Sequence, residues 1–196
     1  MKQLPNNWQI LVTPTDTVYG IVAKVSAANI DKIYKLKERD RSKPLILFVA
    51  DLQSAKQLWR SWSETHEQLA QYWPGALTLI SERSNIVPAF VNPEHQALGI
   101  RIPDSPIIME LLKQTEDSIL LSTSANLSGE AEVQTYEEAL ELFDGKVDAI
   151  LQNPQQKLSQ TASTIVKIEE DGSQQILRQG GIQVPGTQSL LDKILK

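Results

Sequence analysis

Short apolar segments with the character of β-strands alternate with segments of helical periodicity along most of this 196-residue chain. The segment at 44–50 (PLILFVA) is apolar on both faces, as in a strand at the centre of a sheet. Helical segments begin after Ser26 and Asp51, both favourable N-cap residues. This alternation predicts an α/β fold in which helices pack on a sheet, as a single domain over residues 1–196.

The same patterns place the remaining elements. An irregular loop is expected at 84–96. We predict strands at 9–13, 78–81, 97–102, 118–121 and 148–151, a hairpin of 161–168 with 174–178, and helices from Ser63, Ser105, Thr135 and Thr187.

Composition excludes several classes of site. The chain has no cysteine, which rules out disulfides, thiol nucleophiles and zinc–thiolate centres. Its two histidines, His66 and His95, are expected to be exposed, and they make a multi-histidine metal site improbable. The longest apolar run, Leu45 to Ala50, is far too short to span a bilayer. We therefore expect a cytoplasmic protein that does not associate with membranes.

Positive charges occupy every second position from Lys35 to Lys43, although the protein carries a net charge of −5. This basic run falls where a helical segment gives way to a strand. Basic groups at such a junction suit a small polyanion such as a nucleoside triphosphate, whose charge must be neutralised before phosphorus is attacked. The alternative interpretation is a solvated loop, partly neutralised by Glu38 and Asp40.

Four polar segments lie at or beside predicted strands, and ligands of open α/β sheets usually bind at strand ends. They are 14–20 (PTDTVYG), 73–78 (WPGALT), 99–103 (GIRIP) and 122–129 (STSANLSG). The hydroxyls, amide and glycine of the last segment suit phosphate oxygens. Taken singly, 14–20 and 122–129 are equally compatible with turns, and 73–78 with a helix stop. Arg101 lies between apolar neighbours and needs an anionic partner, either a ligand carboxylate or an internal Asp or Glu.

Taken together, the order and wording of these segments closely resemble the YrdC/TsaC family of threonylcarbamoyl-AMP synthases. The resemblance runs from about Pro14 to Gly180. It includes a KxR motif (Lys37, Arg39) followed by KPL, an SxN motif at 124–126, and the later AST and ILRQG segments. The resemblance implies a YrdC-like fold, with a twisted, open mixed sheet, helices on its faces and a deep basic cleft.

Members of that family make L-threonylcarbamoyl-AMP and pyrophosphate from L-threonine, bicarbonate and ATP, for the t6A modification of tRNA. The resemblance implies these three substrates, with Mg²⁺ held mainly by the ATP phosphates and no metal site of the protein itself. It also implies transfer of the product to a threonylcarbamoyl-transferase complex. Weak binding of tRNA is also compatible with the resemblance.

The matching positions imply three sets of site residues. The predicted catalytic pair is Lys37 and Arg39. The predicted ATP-binding residues are Arg39, Lys43, Thr78, Ser124, Asn126 and Arg178. The predicted threonine-binding residues are Thr17, Arg101, Thr123 and Ser163.

Several features depart from the family pattern. Phe48 stands where some relatives have a histidine near threonine, and Glu132 where many have a small polar residue near the nucleotide. A carboxylate beside phosphates is unfavourable unless it points away or meets magnesium. The chain begins shortly before its first strand and ends soon after ILRQG, so we expect a short, single-domain form.

An alternative function from another class is an RNA-binding or ribosome-maturation protein that holds RNA in the same basic cleft. The net charge of −5 disfavours it, and no interleaving of aromatic and basic residues is evident. A third hypothesis, a paralogue that has lost the reaction, is disfavoured by the intact KxR and SxN motifs.

Overall fold

The computed structural model describes residues 4–185 of the chain, in which strands and helices alternate. The strands are β1 (Ile10–Pro14), β2 (Tyr19–Lys24), β3 (Ile46–Val49), β4 (Leu77–Glu82), β5 (Ala97–Arg101), β6 (Ile119–Ser124), β7 (Ala149–Ile150), β8 (Thr164–Ile168) and β9 (Gln174–Arg178). The helices are α1 (Ala27–Leu36), α2 (Leu52–Leu58), α3 (Glu64–Ala70), α4 (Pro106–Lys113) and α5 (Tyr136–Phe143).

All of these strands join one mixed sheet in the order β7-β1-β2-β6-β3-β5-β4-β8-β9. Three neighbouring pairs are parallel, namely β1 with β7, β3 with β5, and β4 with β8, and the others are antiparallel. The doubly apolar segment forms β3 at the centre of the order, as predicted. The α/β fold with a mixed sheet is therefore confirmed.

The helix starts follow the predicted caps. The side chain of Ser26 accepts a hydrogen bond from the backbone N–H of Asn29, and Asp51 does the same for Ser54. Thr135 and Glu138 form the capping box expected before α5. Local sequence is sufficient to predict these helix starts, because a cap residue bonds to the backbone of the first turn of its own helix.

Alternate residues of the strands pack on opposite faces of the sheet. Ile10 and Val12 of β1 join a large core with α1, α2, α3 and α5, whereas Leu11 joins a smaller core with α4. One face is therefore covered by several helices. Among the described residues, α4 is the helix whose buried side chains pack on the other face.

The α4 side of the sheet changes from apolar to polar along the strands. Phe48 packs in the α4 core and is paired across the sheet with Arg101. On the same face, Gly20 pairs with Ser124, and Ser122 pairs with Ile46. This polar end is left open beyond α4, so the fold places a cavity there.

Strand β2 corrects the prediction from the sequence, which places no strand between β1 and α1. The segment 14–20 was interpreted as a polar turn, but the turn is confined to Thr15–Val18, closed by a 3.3 Å bond from Thr15 N–H to the Val18 carbonyl. Tyr19 then begins the return strand. Similarly, β6 runs through Ser124, so the first three residues of 122–129 are strand and not loop.

His66 was expected on the surface and is buried, at 1% exposure. Its ring packs against Trp59 and Trp62, with centroids 5.1 and 5.2 Å away. Its Nδ1 accepts a 3.1 Å hydrogen bond from the Ser63 backbone N–H. Its role is therefore in packing and capping, and burial lowers the pKa of its imidazole.

The predicted C-terminal helix from Thr187 lies outside the described residues. Within 4–185, none of the helices has the length and apolar character needed to cross a membrane.

Candidate active site

The open end of the α4 face holds a cavity of about 170 Å³. Hydroxyl groups and guanidinium groups line most of its polar wall, and Ile46 and Phe48 line part of its apolar wall. The predicted site residues that line it are Thr17, Arg39, Thr78, Arg101, Thr123, Ser124, Ser163 and Arg178.

Arg101, at the end of β5, is 3% exposed. Its guanidinium donates to the Asp16 carboxylate at 2.5 Å, to the Gly75 carbonyl at 2.9 Å and to Thr17 Oγ1 at 3.2 Å. Burial lowers the pKa of Arg101 and the Asp16 charge opposes that effect. The internal carboxylate considered as one alternative is therefore present, and it holds the guanidinium against the cavity wall.

A chain of hydrogen bonds links the β4, β8 and β9 side of the cavity. Thr78 Oγ1 and Ser163 Oγ are 2.9 Å apart. Arg178 donates from Nε to the Ser163 carbonyl at 3.0 Å and from Nη2 to Ser163 Oγ at 3.1 Å. Because two of its nitrogens are held by one residue, the Arg178 guanidinium has a defined orientation in the cavity.

Lys37 lies beneath the cavity and does not line it. It is completely buried, and its ammonium donates to the Ser124 carbonyl at 2.5 Å and to the Asn126 carbonyl and Oδ1 at 2.8 Å each. Ser124 Oγ in turn donates to Asn126 Oδ1 at 2.7 Å. The ammonium of Lys37 thus stabilises the SxN segment through three hydrogen bonds. A direct contact of Lys37 with phosphate stays a prediction.

Burial lowers the pKa of Lys37 to about 7, with a smaller contribution from the nearby Arg39 charge. Glu132 opposes this shift. An anion entering the cavity would favour the charged ammonium in the same way.

Of the other residues of the basic run, one fits the interpretation as an anion site and two fit the interpretation as a solvated loop. Arg39 lines the cavity, and its guanidinium donates to the Lys43 carbonyl at 3.0 Å and the Pro44 carbonyl at 3.2 Å. Arg41 is exposed and paired with Asp31. Lys43 is exposed, with its ammonium 3.5 Å from Ser128 Oγ, and does not line the cavity. One arginine therefore faces the site while its neighbour is a solvated surface group.

Asp16 was not assigned a role from the sequence. The segment 14–20 offers one carboxylate, but its partner, Arg101, is 85 residues away. A carboxylate after one strand and a buried arginine within another were the available signals. Their pairing is visible only once β1 and β5 are placed in one sheet.

Within residues 4–185, the acidic and histidine side chains form no cluster of three or more that could hold a metal ion. A divalent cation at this site would therefore need ligands from a bound anion as well as from the protein.

Gly180 marks a close approach that supports Arg178. A Cβ atom on Gly180 would lie 2.2 Å from the Ala162 carbonyl oxygen and 2.4 Å from the Thr164 nitrogen. Gly180→Ala should therefore push 178–180 away from β8 and lower the free energy of unfolding by about 1–3 kcal/mol. Denaturant unfolding would measure this loss of stability.

Gly181→Ala is the matched control, since a Cβ there meets nothing within 4 Å. We expect its unfolding free energy to stay within about 0.5 kcal/mol of the parent. Equal effects of the two substitutions would contradict the role given to Gly180.

Comparison with known proteins agrees with this architecture. The Sua5/YciO/YrdC family model, described as "Telomere recombination", matches residues 6–180. A threonylcarbamoyl-AMP synthase of Pyrococcus abyssi is 28% identical over 188 residues, which are 95% of this chain and 54% of that protein. One of Vibrio vulnificus is 29% identical over 176 residues, 88% of this chain and 92% of that protein.

The crystal structure of P. abyssi Sua5 complexed with L-threonine superposes with a TM-score of 0.81 at 28% identity. The match covers 89% of this chain and 51% of that one. This chain thus spans about half the length of the Pyrococcus protein. Since the family model covers most of the chain, from the segment before β1 to the end of β9, the chain belongs to the Sua5/YciO/YrdC family.

Proposed function

We propose that this protein synthesises L-threonylcarbamoyl-AMP and pyrophosphate from L-threonine, bicarbonate and ATP. The observation that carries the proposal is the convergence of Arg39, Arg101 and Arg178 on one cavity of about 170 Å³ in a chain of net charge −5. Asp16 pairs with Arg101 and Glu132 lines the same wall, so the three guanidinium groups carry one positive charge more than these two carboxylates and suit an anionic ligand. An amino-acid carboxylate and the phosphates of a nucleotide are such ligands.

Arg101 is the proposed carboxylate ligand. Its contacts with described residues occupy three of its five N–H donors, which leaves donors for a substrate. Asp16 and Gly75 hold the guanidinium in place before the substrate arrives, so little ordering remains to be done on binding. Thr17, Thr123 and Ser163 supply hydroxyls on the same wall for the other polar groups of threonine.

Arg39, Ser124 and Arg178 are the proposed nucleotide contacts that line the cavity. Thr78 is hydrogen-bonded to Ser163 and would fix that wall. Lys37 and Asn126 hold Ser124 in place from below. Lys43, exposed beside Ser128, is the proposed contact for the outer phosphates.

The chemistry needs no nucleophile from the protein. The threonine amine attacks the carbon of bicarbonate, loses a proton and expels water, which gives an N-carboxy-threonine. Its carboxylate attacks the α-phosphorus of ATP, the bond between that phosphorus and the α,β-bridging oxygen breaks, and pyrophosphate leaves. The contributions expected from the protein are orientation of three reactants and neutralisation of the charge that develops on the leaving group.

Pyrophosphate release tests the proposal directly. The purified protein is supplied with ATP, Mg²⁺, L-threonine and bicarbonate, and each substrate is omitted in turn. Release that requires all three substrates supports the synthase. Tight, salt-dependent binding of tRNA without pyrophosphate release would instead favour the RNA-binding alternative.

We further propose that the protein acts in the cytoplasm, that Mg²⁺ reaches the site mainly on the phosphates of ATP, and that the product passes to a threonylcarbamoyl-transferase complex. A mixed anhydride of a carbamate and a phosphate is labile in water, which is the reason to expect rapid use by a second enzyme. Weak tRNA binding would be consistent with that transfer.

A further inference from the structure

Glu132 is the unexplained charged group of the cavity. It lines the wall together with Arg39, Ser124 and Arg178 and is partly buried. Within the described part of the chain, its carboxylate makes no hydrogen bond and no ion pair, whereas the other nearby carboxylate, Asp16, is bound to Arg101. A partly buried carboxylate that has no direct partner is available to a ligand.

The negative charge of Glu132 affects the pKa of two basic groups, Lys37 and Arg178. Burial lowers the pKa of Arg178 and that of Lys37, and in both cases Glu132 opposes the shift. The carboxylate therefore lies close enough to these two residues to act on them electrostatically. Any phosphate drawn into the cavity by Arg178 would come within range of the same negative charge.

Like charges in a partly desolvated cavity repel one another strongly, because water screens them less than it does in bulk. The phosphates of metal-free ATP would therefore be repelled by Glu132 on the same wall whose arginines attract them. A divalent cation removes this conflict, since Mg²⁺ prefers oxygen ligands and is commonly held by phosphates together with one or two carboxylates. The donor set offered by Glu132 beside a triphosphate fits that preference.

We propose that Glu132 makes nucleotide binding in this protein conditional on a divalent cation, by repelling free triphosphate and by sharing the cation when it is bound. This inference rests on the proposed function and adds a specificity determinant to it. In this arrangement the protein binds the metal complex of ATP more tightly than free ATP, and the carboxylate of Glu132 causes the difference.

Titration calorimetry of ATP can test the inference, once with excess Mg²⁺ and once with EDTA. The quantity compared is the ratio of the Kd without metal to the Kd with metal. We expect this ratio to be about tenfold larger for the parent protein than for Glu132→Gln, with the change mainly in the affinity for metal-free ATP. Glutamine keeps the size of the side chain and removes its charge.

Glu130→Gln is the matched control, because Glu130 lies two residues earlier, is exposed and does not line the cavity. Its ratio should equal that of the parent. Glu132→Lys should go further and bind metal-free ATP more tightly than the parent does. Circular dichroism would verify that each variant is folded.

Equal ratios in the parent and Glu132→Gln would overturn the inference and leave the proposed synthase standing. A change of the same size in Glu130→Gln would also overturn it, since the effect would then be general to negative charge. If the folded parent binds no ATP under either condition, this inference and the proposed function both fail.

Discussion

Arg101→Ala should strongly reduce L-threonine binding and pyrophosphate release while ATP binding persists. The guanidinium is the buried cation proposed to hold the threonine carboxylate, and removing one member of a buried charge pair costs about 2–5 kcal/mol of binding. Affinity for L-threonine should therefore fall by between about 30-fold and several thousand-fold. Calorimetry with L-threonine and with ATP, run separately, would measure the two affinities.

The substitution also leaves Asp16 without its partner, since that carboxylate is held by Arg101 at 2.5 Å and its side chain is 11% exposed. A lone carboxylate in that position costs about 3–5 kcal/mol of stability. The double variant Arg101→Ala with Asp16→Asn removes that charge, so it should recover stability without recovering threonine binding. Parent-like threonine affinity in either variant would contradict the assignment.

Lys37→Met should reduce pyrophosphate release at least about 100-fold and weaken ATP binding, although Met fills most of the volume of lysine. The ammonium donates to three oxygens of Ser124 and Asn126, and methionine can donate to none of them. The freed carbonyls would lack buried partners, and the 124–126 segment would lose its support. Single-turnover assays and ATP calorimetry would separate the rate from the affinity.

Lys35→Met is the control for this substitution, since Lys35 belongs to the same basic run but is exposed in the last turn of α1. Its activity should match that of the parent. Lys37→Ala should show the same kinetic defect with a larger loss of stability, because it leaves a cavity as well. A fully active Lys37→Met protein would show that its three hydrogen bonds are not needed for catalysis.

The comparison of sequence and structure separates local from long-range information. The caps at Ser26, Asp51 and Thr135 could be predicted because each bonds to a residue of its own first turn. Strand β2 could not, because Tyr19 and Gly20 belong to a polar segment that looks like a turn from end to end. Polar residues in β6 concealed its last residues in the same way.

The candidate site shows the same division. The basic run and the hydroxyl-rich segments indicated an anion site, and eight of the residues implied by the resemblance to the family line the cavity. Neither could show that Lys37 is buried while Lys43 is exposed. The spacing of the charges in 35–43 does not indicate which of these side chains is buried.

The sequence alone determined the α/β class, the order of its elements apart from β2, the caps of its helices and the kinds of polar group available for binding, because these depend on residues near one another in the chain. The tertiary structure decided which of those groups meet. Asp16 reaches Arg101 across 85 residues and Lys37 reaches Asn126 across 89, through strands that are neighbours only in the sheet. Such contacts arise from the packing of the whole domain, so they lie beyond what local pattern can specify.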